Sequence, residues 1–369
     1  MFILNHLAKL VPLISAAFAI PVSAQSNGTQ YTVTVLGLVQ HNYPNSSFRA
    51  ASINDNGVVA GSATVRVPDN TVQSERGVLW QANTHYTILG TLSETRGIDS
   101  AANSINNSGI AVGNSMEHIG SGPNDYVIHP VMFTANGIVN LGVKNSIGGW
   151  ATGINDASQV VGFLQFETPV QAIEAFLYQN GVMTVLGYPV PTIGYSVAYA
   201  INNNGLIVGT AQLSAGAYGT NLHAASYANG TWTDLGTLGS GQDSNCTATS
   251  VNDSGAIVGR WGNHSQFGIF IYQNGKMTDL NAPAVSNYLV TPITNNAGQI
   301  VYGQFIYQNG VWQDINTFIE PGSGWRLTGA TAINNQGAIV GIIYNASQRI
   351  NRAGLLTPVN SSQQPAGEK

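Results

Sequence analysis

The residues best suited to recognising a ligand are arginines, aromatic residues and one histidine that fall outside the predicted strand cores. We call them the rim residues: Arg49, Arg96, Trp150, Tyr195, Trp261, His264, Tyr288, Trp325 and Arg326. Only 8% of the chain is charged, against about a quarter in an ordinary globular domain. Aromatic faces stack on sugar rings, and arginine makes multidentate hydrogen bonds to acidic or polar groups. The rim residues therefore indicate a binding surface.

Carboxylates outside the repeated positions are candidates for a second kind of chemistry, glycoside hydrolysis. They are Glu75, Glu94, Asp99, Glu117, Asp125, Glu167, Asp243 and Glu320. Glycoside hydrolysis needs two carboxylates about 5 to 10 Å apart across one bond, and their sequence positions alone do not pair any two of them. The sequence has no nucleophile elbow, phosphate-binding glycine loop or zinc-ligand spacing. We predict no catalytic residue, metal or cofactor.

A repeat encodes the elements that must position these residues. A phrase of the type Ile-Asn-Asx-x-Gly occurs in seven copies, two of them degenerate. The copies begin at Ile53, Ile105, Ile154, Ile201, Val251, Ile293 and Ile333. A β-branched pair and a second glycine follow in most copies. Each copy therefore predicts a strand, a tight turn and a second strand.

A second phrase alternates with the first and predicts a hairpin. Its clearest copies are Phe176 to Met183, Phe270 to Met277 and Phe305 to Trp312, each with Asn-Gly between two apolar runs. Asn-Gly is the strongest short hairpin signal because both residues must adopt positive φ. Each repeat thus encodes four strands, which we call a, b, c and d in chain order.

The two ends of the repeat array predict a closed ring. The last copy, around Asn334, supplies strands a, b and c, whereas Tyr31 to Gly37 matches an orphan strand d. The orphan strand can complete the last blade only if the array closes, which also removes two exposed sheet edges. We predict an all-β, seven-bladed β-propeller of four-stranded antiparallel blades over residues 25–360.

Residues 1–24 are predicted to form a signal peptide. Lys9 precedes an apolar run from Leu10 to Ile20, and Val22-Ser23-Ala24 supplies small residues for cleavage after Ala24. We expect a secreted or periplasmic protein without a membrane span, because the apolar run is too short to cross a bilayer. Residues 361–369 are predicted to be a disordered polar tail.

Charge and cysteine content restrict the possible binding partners and the possible disulfides. The formal net charge is −5, and the lack of a basic cluster argues against nucleic acid as a partner. Cys246 is the single cysteine, so no intrachain disulfide forms. We place it in a d–a connection without a neighbouring base and predict an inert thiol. We expect the protein to be a monomer.

Loop lengths predict which end of the ring carries the site. In antiparallel blades the a–b and c–d turns share one end, and the b–c and d–a connections share the other. Only the second set varies widely in length, and function usually lies on such connections. We place the rim residues there and predict that Trp150, Tyr195, Tyr288 and Trp325 converge on one channel opening. In the alternative interpretation, these side chains only plug the channel.

Other polar residues are assigned to the framework. Asp55, Asp156 and Asp253 occupy one repeat position where Asn also occurs, so we predict that they form turns. His129 and His223 occupy another repeated position, at the start of strand c.

The tripeptides that lead strand c carry a family resemblance. They are Glu174-Ala175-Phe176 and His223-Ala224-Ala225, with His129 at the same first position. Together with the repeat phrases they resemble the bacterial extracellular HAF-repeat family, named for a His-Ala-Phe tripeptide. The resemblance covers essentially the whole chain after residue 24. It implies a secreted, propeller-like protein and transfers no catalytic residue.

These observations lead to one function and two alternatives. We expect a non-catalytic binding propeller that recognises an extracellular polymer, glycan or protein, on the end carrying the b–c and d–a connections. The first alternative is a secreted polysaccharide hydrolase or lyase that uses two of the carboxylates named above. The second is a purely structural envelope protein.

Overall fold

The computed structural model describes residues 30–40, 47–66, 73–82, 86–93, 98–120, 122, 125–142, 145–167, 172–189, 194–212, 222–238, 245–262, 267–285 and 290–359. Within them the chain forms seven four-stranded antiparallel sheets, the blades of a β-propeller. The predicted fold class is confirmed. The predicted signal peptide and polar tail lie outside the described residues.

The blades follow one another along the chain. The first strand, β1 (Tyr31–Leu36), belongs to the last blade. Blade one contains β2 (Phe48–Ile53), β3 (Val59–Arg66), β4 (Gln73–Trp80) and β5 (Thr87–Ile88). Blade two contains β6 (Ser100–Ile105), β7 (Ala111–His118), β8 (Tyr126–Thr134) and β9 (Gly137–Asn140). Blade three contains β10 (Gly148–Ile154), β11 (Val160–Phe166), β12 (Ala172–Gln179) and β13 (Val182–Gly187).

The remaining blades repeat the order a, b, c, d. Blade four contains β14 (Ser196–Ile201), β15 (Ile207–Gln212), β16 (Leu222–Ala228) and β17 (Thr231–Gly236). Blade five contains β18 (Asn245–Val251), β19 (Ile257–Gly262), β20 (Phe267–Gln273) and β21 (Lys276–Asp279). Blade six contains β22 (Ile293–Thr294), β23 (Ile300–Tyr302), β24 (Phe305–Gln308) and β25 (Val311–Asp314). Blade seven contains β26 (Trp325–Ile333), β27 (Ile339–Asn345), β28 (Ile350–Pro358) and β1.

Helix is almost absent from the described residues. A 3₁₀ helix spans Ile315–Phe318 after β25, and the Asp314 side chain caps its first turn by accepting from the Asn316 N–H. Within the same residues no helix has the length and apolar character needed to cross a bilayer.

The Asn-Gly turns have the predicted geometry. In the c–d turn of blade three, φ is 52° at Asn180 and 80° at Gly181. The corresponding asparagines of blades four, five and six, Asn229, Asn274 and Asn309, also have positive φ. These turns match the right-handed twist of the strands that they join.

The second glycine of the repeat phrase is required by a β-bulge in strand a. In blade one the register between β2 and β3 shifts between Ala50 and Ser52. The bulge brings the Arg49 carbonyl oxygen against Gly61, where any Cβ would overlap it. Strand a has a similar shift in every blade except blade six. The glycine therefore permits close approach of two backbones.

The hydrophobic core lies between adjacent blades. Between blades two and three, Val112 and Leu141 pack against Leu164 and Phe176, and none of the four side chains is more than 2% exposed. Similar clusters join five other pairs of adjacent blades, including one between blades seven and one that contains Leu36. Burial of these faces is the main stabilising contribution to the ring.

The N-terminal strand completes blade seven, as predicted. β1 pairs antiparallel with β28 in a register that runs from Tyr31 opposite Pro358 to Leu36 opposite Ala353. Tyr31 and Leu36 are 3% and 0% exposed. The strand thus closes the sheet and contributes to two inter-blade cores.

A ring of buried asparagines joins the a–b turns of all seven blades. In each blade the asparagine that follows strand a donates through Nδ2 to the backbone carbonyl of its equivalent in the next blade, at 2.9–3.2 Å. The residues are Asn54, Asn106, Asn155, Asn202, Asn252, Asn295 and Asn334. The Asn334 side chain donates to Asn54, so the circle is closed.

Each asparagine also holds its own turn. The Oδ1 atom of Asn202 accepts from the N–H groups of Asn204 and Leu206, at 3.1 and 2.9 Å. The same pattern recurs at Asn54, whose Oδ1 accepts from Asn56 and Val58. One side chain therefore shapes a turn and links two blades.

A second ring surrounds the channel axis one residue further along each turn. Each backbone N–H donates to the side-chain Oδ1 of the next blade at 2.8–3.0 Å. The residues are Asp55, Asn107, Asp156, Asn203, Asp253, Asn296 and Asn335. The aspartates are thus framework residues, as predicted. Their hydrogen bonds link neighbouring blades, however, and do not only form turns.

Replacement of Leu36 tests the contribution of the closing strand. We expect Leu36→Ala to lower the free energy of unfolding by about 2–5 kcal/mol, because it leaves a cavity at a fully buried site. Val35→Ala in the same strand should cost under about 1 kcal/mol, since Val35 is 37% exposed. Chemical denaturation of both variants measures the difference. Equal, small losses would show that β1 contributes little to the closed ring.

The asparagine ring predicts a similar contrast within one turn. Asn202→Ala removes three hydrogen bonds and should cost about 2–4 kcal/mol. Asn204→Ala removes one exposed hydrogen bond, to the Asp253 carbonyl, and should cost under about 1 kcal/mol. Melting temperatures of the two variants show which substitution costs more stability. An Asn202 variant as stable as the Asn204 variant would contradict a stabilising ring.

Candidate functional site

Blade six departs from the repeat and leaves a cleft beside blade five. Its strand a, β22, has two residues, whereas strand a of the other blades has six to nine. Its b–c connection is also short, because β23 ends at Tyr302 and β24 begins at Phe305. The missing backbone leaves a cleft of about 530 Å³ between the two blades.

The cleft lies at the end of the ring that was predicted to carry the site. Gly262 and Phe267, which bound the b–c connection of blade five, line it together with Val285 and Val290 from the d–a connection of blade six. The asparagine rings occupy the other end of the channel. A cavity of about 170 Å³ there is lined by the a–b turn residues.

Tyr302 forms part of the cleft wall. In the repeat it stands where other blades have the second glycine, and it is 5% exposed. The side chain fits because blade six lacks the strand a bulge that excludes a Cβ elsewhere. Burial raises the pKa of the Tyr302 hydroxyl, and nearby Arg260 partly offsets the rise.

Arg260 is the only charged side chain among the described residues that line the cleft. It follows Gly259 on β19 and is half-buried. Besides its effect on Tyr302, its charge lowers the pKa of Tyr199, which burial raises. Within the described part of the chain, no hydrogen bond or salt bridge to a carboxylate is found for its guanidinium. Among the described residues, the guanidinium thus has no counter-charge.

Two aromatic side chains complete the cleft. Phe267 is 68% exposed, an unusual position for a large apolar ring. Trp261 is half-buried, and its indole N–H, next to Gly268, has no acceptor among the described residues. Such an unpaired donor costs about 1–3 kcal/mol. The cleft thus combines the exposed Phe267 ring with the Arg260 guanidinium, whereas the buried Trp261 N–H is not open to a ligand.

The structure corrects the predicted setting of the rim residues. Arg49, Trp150, Trp261, Trp325 and Arg326 were placed in connections but lie in strands. Backbone pairing between strands a and b continues past the repeat phrase, as between Phe48 and Ala63 in blade one. In blades one and two, pairing of strands b and c likewise continues to Arg66 and to His118.

Outside the cleft, the described rim residues have separate neighbours. The Arg49 guanidinium lies 2.8 Å from a Glu75 carboxylate oxygen, and Trp150 stacks on Phe163 at 5.1 Å. Tyr195 bridges to Ile173 of blade three.

Blade seven holds two further rim residues. Trp325 packs against the core cluster of blades six and seven, and Arg326 lies 5.8 Å from the centre of the Tyr344 ring. Arg96, His264 and Tyr288 lie outside the described residues. Convergence of the aromatic rim residues on one opening stays a prediction.

Among the carboxylates, Glu75 and Asp99 lie close together. The Glu75 N–H donates to Asp99 Oδ1 at 2.8 Å, and Glu75 Oε1 accepts from Ser62 at 2.5 Å as well as from Arg49. Burial raises the pKa of Asp99, and the Glu75 charge adds to the rise. These contacts tie blade one to blade two, away from the cleft.

Two further carboxylates lie next to histidine side chains. Glu117 lies 3.0 Å from His129, whose pKa is lowered by burial. His223 lies 3.0 Å from Asp234, which also accepts from the Gly236 N–H. Among the described residues, no group of three or more His, Cys, Asp or Glu could hold a metal ion.

Cys246 lies in a strand and not in a connection. It is the second residue of β18 and is fully buried. Its Sγ accepts from the Leu238 N–H at 3.3 Å. Burial raises the pKa of the thiol to about 11. The buried position explains an inert thiol better than the missing base on which the prediction relied.

Comparisons with known proteins give likenesses in solved structures only. No family model matches the chain, and no curated protein matches it. A Mycobacterium tuberculosis puromycin-hydrolyzing peptidase shares 9% identity at a TM-score of 0.49, over 88% of this chain and 56% of that one. A Trypanosoma rangeli sialidase in complex with the inhibitor DANA shares 10% identity at a TM-score of 0.41. The likeness covers 77% of this chain and 56% of that one.

A third structure has a length similar to this chain. The Aleuria aurantia lectin in complex with Fucα1-6GlcNAc shares 11% identity at a TM-score of 0.40, over 88% of this chain and 98% of that one. By contrast, the chain spans 56% of the length of the sialidase and of the peptidase. These likenesses are too distant to bear on function.

The thiol offers a test of the local fold. At pH 8, about three units below the raised pKa, about 0.1% of Cys246 is thiolate. We expect a thiol reagent to modify the native protein at least a hundredfold more slowly than the denatured protein. Absorbance of the released reporter follows both reactions. Rapid labelling of the native protein would contradict the buried position of Cys246.

Proposed function

We propose that this protein is a secreted, non-catalytic binding propeller that holds a segment of an extracellular glycan in the cleft between blades five and six. The observation that carries the proposal is the open cleft itself, lined by the exposed Phe267 and by Arg260, for which no described residue supplies a carboxylate. Export rests on the signal peptide pattern of residues 1–24.

The dimensions of the cleft support a small ligand or one segment of a polymer. Its volume of about 530 Å³ falls within the usual range of ligand sites, roughly 300–1,000 Å³. The cleft opens at the end of the ring, where a bound polymer chain can continue beyond it. This favours a polymer bound through one or two units.

The chemistry of the lining supports a glycan. Phe267 and Trp261 present flat apolar surface for the C–H face of a sugar ring. Arg260 and Asn245 place polar groups at the same cleft, where sugar hydroxyls can be hydrogen-bonded. The described lining contains no carboxylate, so its groups suit binding and not glycoside hydrolysis.

The exposed ring is the most direct test. We expect Phe267→Ala to weaken glycan binding about tenfold, because stacking is lost, with little change in stability since the side chain is exposed. Tyr126→Ala is the matched control, as Tyr126 is also exposed but lies in blade two. A glycan array selects the ligand, and calorimetry measures both variants.

Three results decide the proposal. Equal binding by wild type and Phe267→Ala would remove the cleft as the binding site. A complete lack of glycan ligands would remove the proposed function. Release of reducing ends from a bound polysaccharide would favour hydrolysis instead, and Glu75 and Asp99 would then be the first residues to replace.

A further inference from the structure

We infer that the cleft selects an acidic glycan, whose uronate carboxylate is held by the Arg260 guanidinium while its ring lies against Phe267. This inference rests on the proposed function and names the class of glycan. It is carried by the position of Arg260 in the repeat, by the lack of a counter-charge among the described residues and by the shape of the cleft.

The repeat shows that the framework does not need Arg260. It follows the second glycine of the phrase, and the equivalent residues of other blades are uncharged: Ser62, Asn114, Phe163, Thr210 and Ile342. These residues sit at the same step of the a–b pairing, as with Ser62 opposite Arg49 and Arg260 opposite Thr247. Because these five blades form with an uncharged residue at that step, the arginine of blade five calls for a local reason.

The electrostatic setting of Arg260 supplies that reason. The guanidinium is half-buried at the cleft that Tyr302 also lines, and no described residue supplies a carboxylate to it. A partly desolvated charge without a partner is costly. An anionic ligand would provide the partner, in a protein whose net charge of −5 otherwise disfavours anions.

The form of the charged group favours a carboxylate on a sugar ring. A guanidinium presents a planar fork that matches a carboxylate with two parallel hydrogen bonds. Phe267, two residues before the partner of Arg260 in the β19–β20 pairing, adds an apolar ring at the same cleft. Uronic acids carry both features, a carboxylate and an apolar ring face, on one unit.

A pair of polymers that differ only in the carboxylate tests the inference. The probes are polygalacturonate and its fully methyl-esterified form, titrated into the full-length chain after signal removal. We expect the acid form to bind about ten- to a hundredfold more tightly. Arg260→Gln should abolish that preference, and Arg260→Lys should restore only part of it.

The control is Arg349→Gln, which removes one positive charge from an exposed turn of blade seven. It should retain the preference for the acid form. If it loses that preference as Arg260→Gln does, net charge and not the cleft selects the acid, and the inference is overturned.

Other outcomes separate the inference from the proposed function. Equal binding of both polymers, weakened by Phe267→Ala, would overturn acid selection and leave glycan binding in place. Binding of an oligoglutamate peptide through Arg260, without polygalacturonate binding, would replace the glycan with an acidic protein segment. Binding of neither probe, while neutral glycans bind, would also overturn the inference.

Discussion

The fold depends on the amide of one asparagine in each blade. Its oxygen shapes the a–b turn, and its nitrogen donates to the next blade. Buried polar groups need partners, and every member of the ring is 3–5% exposed. If the array were open, the Asn334 amide and the Asn54 carbonyl would each lose a partner. Closure therefore satisfies the last hydrogen bonds in addition to burying the last apolar face.

The second ring supports the proposal of a site at the opposite end of the channel. Each aspartate carboxylate accepts hydrogen bonds from neighbouring blades; Asp156, for instance, accepts from Asn107 and Asn203. Aspartate and asparagine alternate around most of the ring, so donors face acceptors. Because seven is odd, two asparagines, Asn296 and Asn335, must be neighbours. The groups at this end are used by the framework, which leaves recognition to the end with the variable connections.

The repeat, the Asn-Gly turns and the closing strand could be predicted because each depends on local residue types at a fixed period. The bulge in strand a could not be predicted, because a glycine such as Gly61 can serve a turn as well as a close approach of two backbones. The rim residues were misplaced because backbone pairing extends beyond the apolar pattern. The cleft was also missed, although its signal was visible: Tyr302 replaces a repeated glycine, and the b–c connection that follows is very short.

The departure of blade six from the repeat indicates where to look for function in a symmetric propeller. Residues that recur in every blade serve the ring, so their chemistry is already used. Blade six instead loses most of strand a and replaces a glycine with Tyr302, at the expense of cross-strand hydrogen bonds. Blade five faces that gap with Arg260 and with Trp261, whose indole N–H lacks an acceptor among the described residues. Blade six thus gives up cross-strand hydrogen bonds where blade five places Arg260, and we propose that a ligand occupies this gap.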